Sequence, residues 1–597
     1  MRGCLVTAPA RRRRPPLYRE QLERALRTPL PLRSELHGNY LDLFVDTGHL
    51  HLLRNPDWQV VYGRRGTGKT FLLGVLQEEA ARSLSESRIM SIFVTAQDCL
   101  VSPVGREVPD KIRALGYFQT FTELLTDRVA ESVDRLTADT SFLDTLTGRR
   151  HHLLDRIVGL QYELLVAAQQ GAPVVAYSSF ETKKSEQRTR TRARRATVGA
   201  QARLGTKERA AGASAVLARS SESSSTDQTA TNHESGAVPR FAVVRQKLIE
   251  LLEVLRLRHL NILVDEWSTL DPTASLMLQP LFADYLKRSF AGSSLISIKI
   301  ATNRYQTRFS NRGTAGRYTG LELGADLFEA VNLDRAVLDR RDLESFFELL
   351  LFKRLLHREP QLAVFETRDH GRPDDQFVLS IFRDRQTFAE LVHGSAGIPR
   401  NFLILVNDLV RRHSHRADRQ WSMADVQLCL RERSLEGQSD IEYHSEASQL
   451  LSPCIRETVL RTGNRLFLVD KTAKETLDRA LAELLEKRII HEYPRLDVPA
   501  AVRHAYAAYL LDYGLWLDWE RESDRGTGRP EDSTVFPPNR QDRDKHVIRL
   551  NGLDRRTATC AHCDAVFPRE ARPYVMRRLC PECYRPADDA DPPDAAP

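Results

Sequence analysis

A glycine-rich segment in the first hundred residues has the residue types and spacing of a phosphate-binding loop. It consists of Gly63, Arg64, Arg65, Gly66, Thr67, Gly68, Lys69 and Thr70. Glycines let the backbone wrap closely, so that its N–H groups point at phosphate oxygens. Lys69 would then reach the β- and γ-phosphates, and the hydroxyl of Thr70 would ligate Mg²⁺. The segment, called the glycine-rich loop below, therefore predicts a nucleoside triphosphate site.

An acidic pair supplies the carboxylates that such a site needs. The apolar run Asn261–Val264 ends in Asp265 and Glu266. Asp265 is predicted to hold Mg²⁺ through its water shell, and Glu266 to polarise the attacking water as a general base. Since these carboxylates accompany an intact glycine-rich loop, the sequence favours hydrolysis over a scaffold that only binds nucleotide.

Two further polar residues follow predicted elements and are candidates for contacting the γ-phosphate. Asn303 follows the apolar run Leu295–Thr302, where it could orient the attacking water. Arg400 begins a predicted helix after His393–Pro399 and could fold back onto the γ-phosphate. An ordinary turn residue and a solvent-exposed arginine remain the alternatives for these two positions.

Four cysteines near the C-terminus have the spacing of a metal site. Sixteen residues separate two Cys-x2-Cys pairs, formed by Cys560, Cys563, Cys580 and Cys583. Two such pairs are typical of a zinc ribbon with four thiolate ligands. A unit this small has little core of its own, so metal binding would supply its folding energy. We expect a closed, structural Zn²⁺ site.

Alternating strands and helices are predicted around the glycine-rich loop. The pattern indicates an α/β fold, with a parallel sheet covered by helices on both faces. The predicted strands are 59–63, 88–95, 259–264 and 294–302, and the predicted helices are 71–83, 117–136 and 241–257.

The second half of the chain is read as helical, followed by smaller modules. Strands are predicted at 465–469, 489–493 and 506–519, and a helix at 472–487 favours a winged-helix unit. The predicted division is a basic extension 1–36, a core 37–337 with an insertion 183–236, a helical lid 338–415, a winged helix 440–525, a linker 526–556, a zinc ribbon 557–586 and an acidic tail 587–597.

Charge and composition narrow the class of protein. The chain has 597 residues, 41% hydrophobic and 28% charged, which is enough for several ordinary cores. Its net charge of +7 is concentrated in 183–209, inside an insertion too poor in large apolar residues to fold. That insertion is either a solvated linker or a basic arm for nucleic-acid phosphates. No apolar run is long enough to span a membrane, and the scattered cysteines favour a reduced, cytoplasmic protein.

The motifs together resemble those of the AAA+ ATPases, a class of P-loop NTPases. Over residues 37–415, the glycine-rich loop, Asp265-Glu266, Asn303 and Gly397–Arg400 resemble Walker A, Walker B, sensor 1 and sensor 2. A helical lid followed by a winged helix resembles the origin-recognition class of AAA+ initiators. This resemblance implies ATP as the nucleotide, DNA as a partner and a homo-oligomer as an assembly.

Two departures from that resemblance keep a second hypothesis open. About 195 residues separate Thr70 from Asp265, far more than an AAA+ core usually has. The arginine finger that a neighbouring subunit would supply is not identified either, since Arg308, Arg312 and Arg317 all follow Asn303. The alternative is a nucleotide-switched signalling or defence ATPase of the STAND type, with a C-terminal protein-interaction module.

Overall fold

The computed structural model forms two compact units, Met1–Arg150 with Leu252–Pro597, and His151–Leu251. Predictions for the N-terminal 16 residues, the insertion 183–236, Arg317, Cys560, Cys563 and the acidic tail concern residues outside those that the structure describes. The described residues are 17–32, 39–100, 109–138, 150–169, 240–270, 277–312, 318–334, 343–367, 371–413, 420–439, 441, 445–493, 506–522, 545–548, 557–559, 562, 566–568, 572–580 and 583–586.

Strands occur in a central sheet, a C-terminal sheet and two hairpins. The central sheet has five strands in the order β2-β3-β4-β1-β7, and all of its pairs are parallel. The strands are β1 (Gln59–Tyr62), β2 (Ile89–Thr95), β3 (His259–Asp265), β4 (Ile296–Thr302), β5 (Ser310–Arg312), β6 (Tyr318–Gly320), β7 (Phe328–Asn332), β8 (Leu466–Asp470), β9 (Ile490–Glu492), β10 (Tyr506–Leu511), β11 (Thr557–Thr559) and β12 (Val566–Pro568).

Helices connect these strands and form most of the second half. They are α1 (Leu17–Leu26), α2 (Tyr40–Leu43), α3 (Leu50–Leu53), α4 (Lys69–Arg82), α5 (Leu84–Ser87), α6 (Asp110–Ala138), α7 (Arg150–Gln169), α8 (Phe241–Val254), α9 (Leu278–Phe290), α10 (Leu343–Arg358), α11 (Asp375–Ile381), α12 (Arg385–Gly394), α13 (Pro399–His413), α14 (Met423–Ser439), α15 (Glu446–Gln449), α16 (Arg456–Thr462), α17 (Lys471–Glu486), α18 (Tyr513–Glu522) and α19 (Arg572–Arg577). Short 3₁₀ turns follow β2, β3, β4 and α10, and a π-helical segment precedes α16.

The register of the central sheet aligns the ends of strands that are far apart in sequence. Thr95 at the end of β2 pairs with Asp265 at the end of β3, and Tyr62 pairs with Thr302. Every residue of β4 is buried, as is all of β3 except His259, because both strands are covered on both faces. The predicted α/β core with a parallel sheet is therefore confirmed.

The residues 343–439 form a helical region packed around aromatic side chains. Phe347 contacts Phe402 with ring centroids 4.7 Å apart, which joins α10 to α13. The same hydrophobic cluster continues through Trp421 into buried residues of α17 and α18, such as Leu484 and Trp516. The helical region therefore shares one core with α17 and α18.

The residues 445–522, called the C-terminal module below, contain an antiparallel sheet in the order β8-β10-β9. Phe467 and Tyr509 on one face of this sheet belong to the core shared with the helical region. The expectation of a strand throughout 506–519 is wrong, because the strand ends at Leu511 and α18 begins at Tyr513. Leu515, Trp516 and Trp519 are buried at a spacing that suits a helix rather than a strand.

The second unit, His151–Leu251, contains most of α7 and α8 among its described residues. Nζ of Lys247 on α8 forms an ion pair with Glu163 on α7 at 2.8 Å. Val244, Leu248 and Leu251 of α8 are buried, as the helical pattern predicted.

Candidate nucleotide site

The glycine-rich loop joins β1 to α4 at the carboxyl end of the central sheet. The N–H of Gly63 donates to the carbonyl of Thr302 at 3.2 Å, which continues the sheet pairing into the loop. Gly66 and Gly68 have φ angles of 93° and 97°, a region that favours glycine. A Cβ at Gly63 would lie 2.4 Å from Oγ1 of Thr67, so this position also requires glycine.

Lys69 lies within the loop rather than on its surface. Its Nζ donates to the carbonyl oxygens of Gly63 at 2.6 Å and Arg64 at 2.9 Å. Burial lowers the pKa of Lys69, whereas the nearby carboxylates of Asp265, Asp334 and Glu266 raise it. The ammonium group is thus held at the mouth of α4, where a helix N-terminus also attracts anions.

Thr70 and Asp265 bring the two halves of the predicted magnesium site together. Oγ1 of Thr70 donates to Oδ2 of Asp265 at 2.5 Å, although 195 positions separate the two residues. Oδ1 of Asp265 is buried and has no hydrogen-bond partner among the described residues. Burial raises the pKa of Asp265, and hydrogen bonds from Thr70 and from the backbone of Glu266 lower it. The hydroxyl of Thr70 and the buried Oδ1 of Asp265, which accepts no hydrogen bond from the described residues, together fit Mg²⁺, because this ion prefers oxygen ligands.

Glu266 follows β3 with an unusual backbone conformation. Its φ angle of 53° lies in the left-handed region, which is strained for a residue with a side chain. The carbonyl of Glu266 accepts hydrogen bonds from the N–H of Thr269 at 3.0 Å and from its hydroxyl at 2.7 Å. These bonds hold the turn that places the Glu266 side chain in the wall of the same cavity as Lys69.

One cavity of about 1920 Å³ contains every predicted nucleotide-site residue except Gly63 in its lining. Asn303 lies at the end of β4, and its Nδ2 donates to Oε1 of Gln306 at 3.4 Å. This short turn keeps Asn303 in the cavity lining, which also contains Thr302 and Glu266. The fold thus brings these predicted residues to one cavity.

Arg400 connects the helical region to the glycine-rich loop. Its backbone N–H donates to the carbonyl of Gly66 at 3.2 Å. A Cβ at Gly66 would lie only 2.8 Å from Cβ of Arg400, so the two backbones approach as closely as glycine allows. The first turn of α13 is thereby fixed over the loop.

The C-terminal module contributes residues that sequence reasoning did not identify. Nη1 of Arg64 donates to Nδ1 of His491 at 2.6 Å, and Nε of Arg64 forms an ion pair with Asp334 at 3.1 Å. Because arginine can only donate, Nδ1 of His491 is an acceptor, and its Nε2–H faces Asp512 at 3.3 Å. Residues of β9 therefore contact the glycine-rich loop directly.

Sequence reasoning also missed four aromatic residues of the cavity lining. They are Tyr40 of α2, Phe44 directly after that helix, Phe71 of α4 and Phe346 of α10. Arg354 lies over the ring of Phe71, with Cζ 5.6 Å from its centroid, and burial lowers the pKa of Arg354 to about 10. Flat aromatic side chains and a phosphate-binding loop in one cavity suit a ligand with a base and phosphates.

The structure describes two of the three residues that are candidates for the arginine finger. Arg308 and Arg312 are both exposed, and Arg312 lies over the ring of Tyr318 at 5.3 Å. Arg308 also lines the cavity, whereas Arg312 lies on the β5–β6 hairpin. Geometry thus separates Arg308, which faces this site, from Arg312, which does not line it.

Two of the four candidate zinc ligands are described. Cys580 is buried and Cys583 is partly buried, in a turn where the N–H of Tyr584 donates to the carbonyl of Cys580 at 2.9 Å. Within the described residues no cluster of three or more His, Cys, Asp or Glu side chains could hold a metal ion. None of the helices described here is long and apolar enough to cross a membrane.

Comparison with solved structures finds similarity to origin-recognition proteins. The ORC2 protein of Aeropyrum pernix (ADPNP-ADP complexes) has 8% identity and a TM-score of 0.29, covering 84% of this chain and 97% of that one. Drosophila ORC bound to DNA has 12% identity and a TM-score of 0.25, covering 88% and 95%. The Aeropyrum pernix ORC1 protein in complex with DNA has 12% identity and a TM-score of 0.25, covering 80% and 90%. No protein-family model and no curated protein matches the sequence.

Proposed function

We propose that this chain binds ATP with Mg²⁺ and hydrolyses it, and that it acts on or with DNA. The observation that carries the nucleotide proposal is the contact between Thr70 and Asp265. It joins the glycine-rich loop to the acidic pair in one cavity, as Mg²⁺-dependent phosphoryl transfer requires. The triphosphate lies along the loop, and the base contacts the aromatic side chains near Phe71.

Each residue of the site has a defined part in this proposal. Lys69 neutralises the β- and γ-phosphates, while Thr70 and Asp265 would hold Mg²⁺, which when bound would polarise the phosphate oxygens. Glu266 accepts a proton from the attacking water, and Asn303 orients that water. Arg400 binds the γ-phosphate, because the first turn of α13 lies over the loop.

We further propose that residues 445–522 are a winged-helix domain and that the four cysteines bind one Zn²⁺. The three-stranded sheet with α16, α17 and α18 supports the first assignment. The turn at Cys580 and the neighbouring β11–β12 hairpin support the second. Acidic residues are at least as numerous as basic ones in 445–522, so DNA contacts by phosphate neutralisation are assigned to the basic stretches outside that module.

Steady-state ATP hydrolysis with and without duplex DNA at low salt tests the proposal. We expect DNA to stimulate hydrolysis by the wild type, and Glu266→Gln to abolish it while nucleotide binding persists. Glu253→Gln, which changes an exposed glutamate at the end of α8, is the matched control and should behave as wild type. Wild-type ATP binding without any hydrolysis would contradict the catalytic part.

The contacts between the glycine-rich loop and the C-terminal module favour one second candidate, a nucleotide-switched ATPase of the STAND type. In that case nucleotide controls a closed and an open form, and the open form assembles into a homo-oligomer. Size-exclusion chromatography with ATP or ADP discriminates between the two candidates. Assembly that depends on nucleotide and is indifferent to DNA supports the switch, whereas hydrolysis and assembly that respond to DNA support the first proposal.

A further inference from the structure

Arg488 belongs to the C-terminal module but lies beside the glycine-rich loop. It follows α17 and precedes β9, with a left-handed φ angle of 64°. Nη2 of Arg488 donates to the carbonyl of Arg65 at 3.2 Å, and Nη1 donates to Oδ1 of Asn401. The guanidinium group therefore lies between the loop and the first turn of α13.

The surroundings of Arg488 are strongly cationic. Burial, followed by the charges of other arginines, lowers the pKa of Arg488 to about 10; those arginines are Arg400, Arg64, Arg433 and Arg65. Positive charges gathered in a partly desolvated site repel one another, and a bound anion relieves that repulsion. The structure thus presents a concentration of positive charge at the mouth of the loop that suits a polyphosphate.

The guanidinium group of Arg488 also has N–H donors that the two hydrogen bonds above do not use. Arginine carries five N–H donors, and the two hydrogen bonds above use two of them. Arg488 lines the same cavity as Lys69 and Thr70. Its planar, forked donors match the geometry of a phosphate group better than an ammonium group does.

We propose that Arg488 binds the terminal phosphate of a bound nucleoside triphosphate, so that the ligand joins the glycine-rich loop to the C-terminal module. This inference rests on the proposed nucleotide binding and adds a ligand from a module outside the ATPase core. Residues flanking Arg400 and Arg488, such as Phe402 and Ile489, lie in one hydrophobic cluster. The two arginines therefore approach or leave the terminal phosphate together.

Nucleotide titrations of Arg488→Asn test the proposal, because asparagine tolerates the left-handed conformation and removes the charge. With Mg²⁺ present, we expect the affinity for the non-hydrolysable ATP analogue ADPNP to fall roughly 10- to 100-fold, the range for losing a charge-assisted hydrogen bond. Affinity for ADP, which lacks the terminal phosphate, should remain that of the wild type. Arg488→Lys should give an intermediate loss, since it keeps the charge without the fork.

Arg256→Asn is the matched control. Arg256 also ends a helix before a strand, with a φ angle of 52°, and it is exposed away from the cavity. In both turns the next residue closes the helix end, with N–H to carbonyl distances of 2.9 Å at Leu257 and 3.0 Å at Ile489. The control variant therefore reproduces the backbone change without touching the site.

Hydrogen exchange at the β9 amides provides a second readout that does not depend on the affinity of one variant. ADPNP should protect Ile490–Glu492 more than ADP does in the wild type, and this difference should vanish in Arg488→Asn. ADPNP affinities and β9 protection that are equal in Arg488→Asn and Arg256→Asn would overturn the inference. Failure of the underlying nucleotide site looks different, because the wild type and Lys69→Ala would then bind ADPNP equally poorly.

Discussion

The hydroxyl of Thr70 donates to one carboxylate oxygen of Asp265, and the other oxygen of that carboxylate is buried without a hydrogen bond among the described residues. An unsatisfied buried carboxylate oxygen is costly unless a cation or donor completes it. The pair is therefore arranged for a ligand, and its stability without that ligand is reduced.

Replacing Asp265 by asparagine separates the cost of the buried charge from its role in binding Mg²⁺. Asp265→Asn keeps the shape and removes the buried charge, so we expect the melting temperature of the nucleotide-free protein to stay equal or rise. The stabilisation by Mg²⁺ and ATP, about 2.7 kcal/mol at a ligand concentration of 100 times Kd, should disappear. Thermal melts with and without EDTA measure both. The exposed Asp98 offers the control variant Asp98→Asn, which should keep the Mg²⁺ response.

Gly66 is expected to tolerate no side chain. In Gly66→Ala the new Cβ would meet Arg400 at 2.8 Å, and the φ angle of 93° would be strained as well. The loop and α13 must then separate, and we expect ATP affinity to fall by at least tenfold. Gly159→Ala on α7, where nothing lies within 4 Å, should leave binding unchanged. Equal affinities of the two variants would mean that the contact between Gly66 and Arg400 does not hold the site.

The contact between Arg64 and His491 should make the docking of β9 sensitive to acid. Burial lowers the pKa of His491 to about 4; the hydrogen bond to Asp512 raises it, and the charges of Arg64 and Arg465 lower it. In the unfolded chain the histidine pKa is near 6.5, so as pH falls the unfolded state binds this proton at a higher pH than the folded state does. The contribution of neutral His491 to the free energy of unfolding is therefore fully present above about pH 6.5 and is lost towards pH 4. The free energy of unfolding falls by roughly 3 kcal/mol over this range if the whole lowering of the His491 pKa is counted.

Hydrogen exchange at β9 between pH 7 and pH 4.5, corrected for intrinsic rates, checks this expectation. Protection should decline steeply in the wild type and much less in His491→Asn. The exposed His51 provides His51→Asn, which should decline as the wild type does. A wild-type profile that is flat over this range would show that His491 is not the responsible group.

The four cysteines should bind one zinc ion per chain, because a closed four-thiolate site holds a single ion. Metal analysis of the purified protein measures the ratio directly. Cys560→Ser and Cys583→Ser should each lower it strongly, whereas Cys429→Ser, at a buried position of the helical region, should not. A zinc-free wild type with an ordered region around Cys580 would refute the zinc ribbon.

Local sequence patterns are enough to predict the candidate nucleotide site, because each of its main parts is contiguous. Lys69 and Thr70 adjoin the glycines that shape their loop, and Asp265 ends an apolar strand, so each part carries its own signal. The parallel sheet then explains why parts 195 positions apart meet. The strand β7 was not predicted, since Phe328 and Glu329 are exposed and the run lacks a buried-strand pattern.

No comparable sequence pattern marks the residues that the C-terminal module contributes to the cavity. Arg488 and His491 stand in a segment whose charges resemble those of any solvated helix end, and only packing reveals what they touch. The helix α18 was read as a strand because aromatic and aliphatic residues cluster from Tyr506 onwards, a composition shared by strands and buried helices. The segment is a helix because helical spacing buries Trp516 and Trp519 in the tertiary structure.

The distance in sequence between Arg64 and His491, 427 positions, has a consequence for how the protein is made. Ribosomes add about 5–20 residues per second, so the glycine-rich loop is synthesised roughly 20 to 85 s before its partner in β9. During that interval the nascent loop lacks the contacts of Arg488 and His491. A chain released early, before residue 488, would therefore carry the glycine-rich loop and the acidic pair without Arg488 and the later residues that the C-terminal module adds to their cavity.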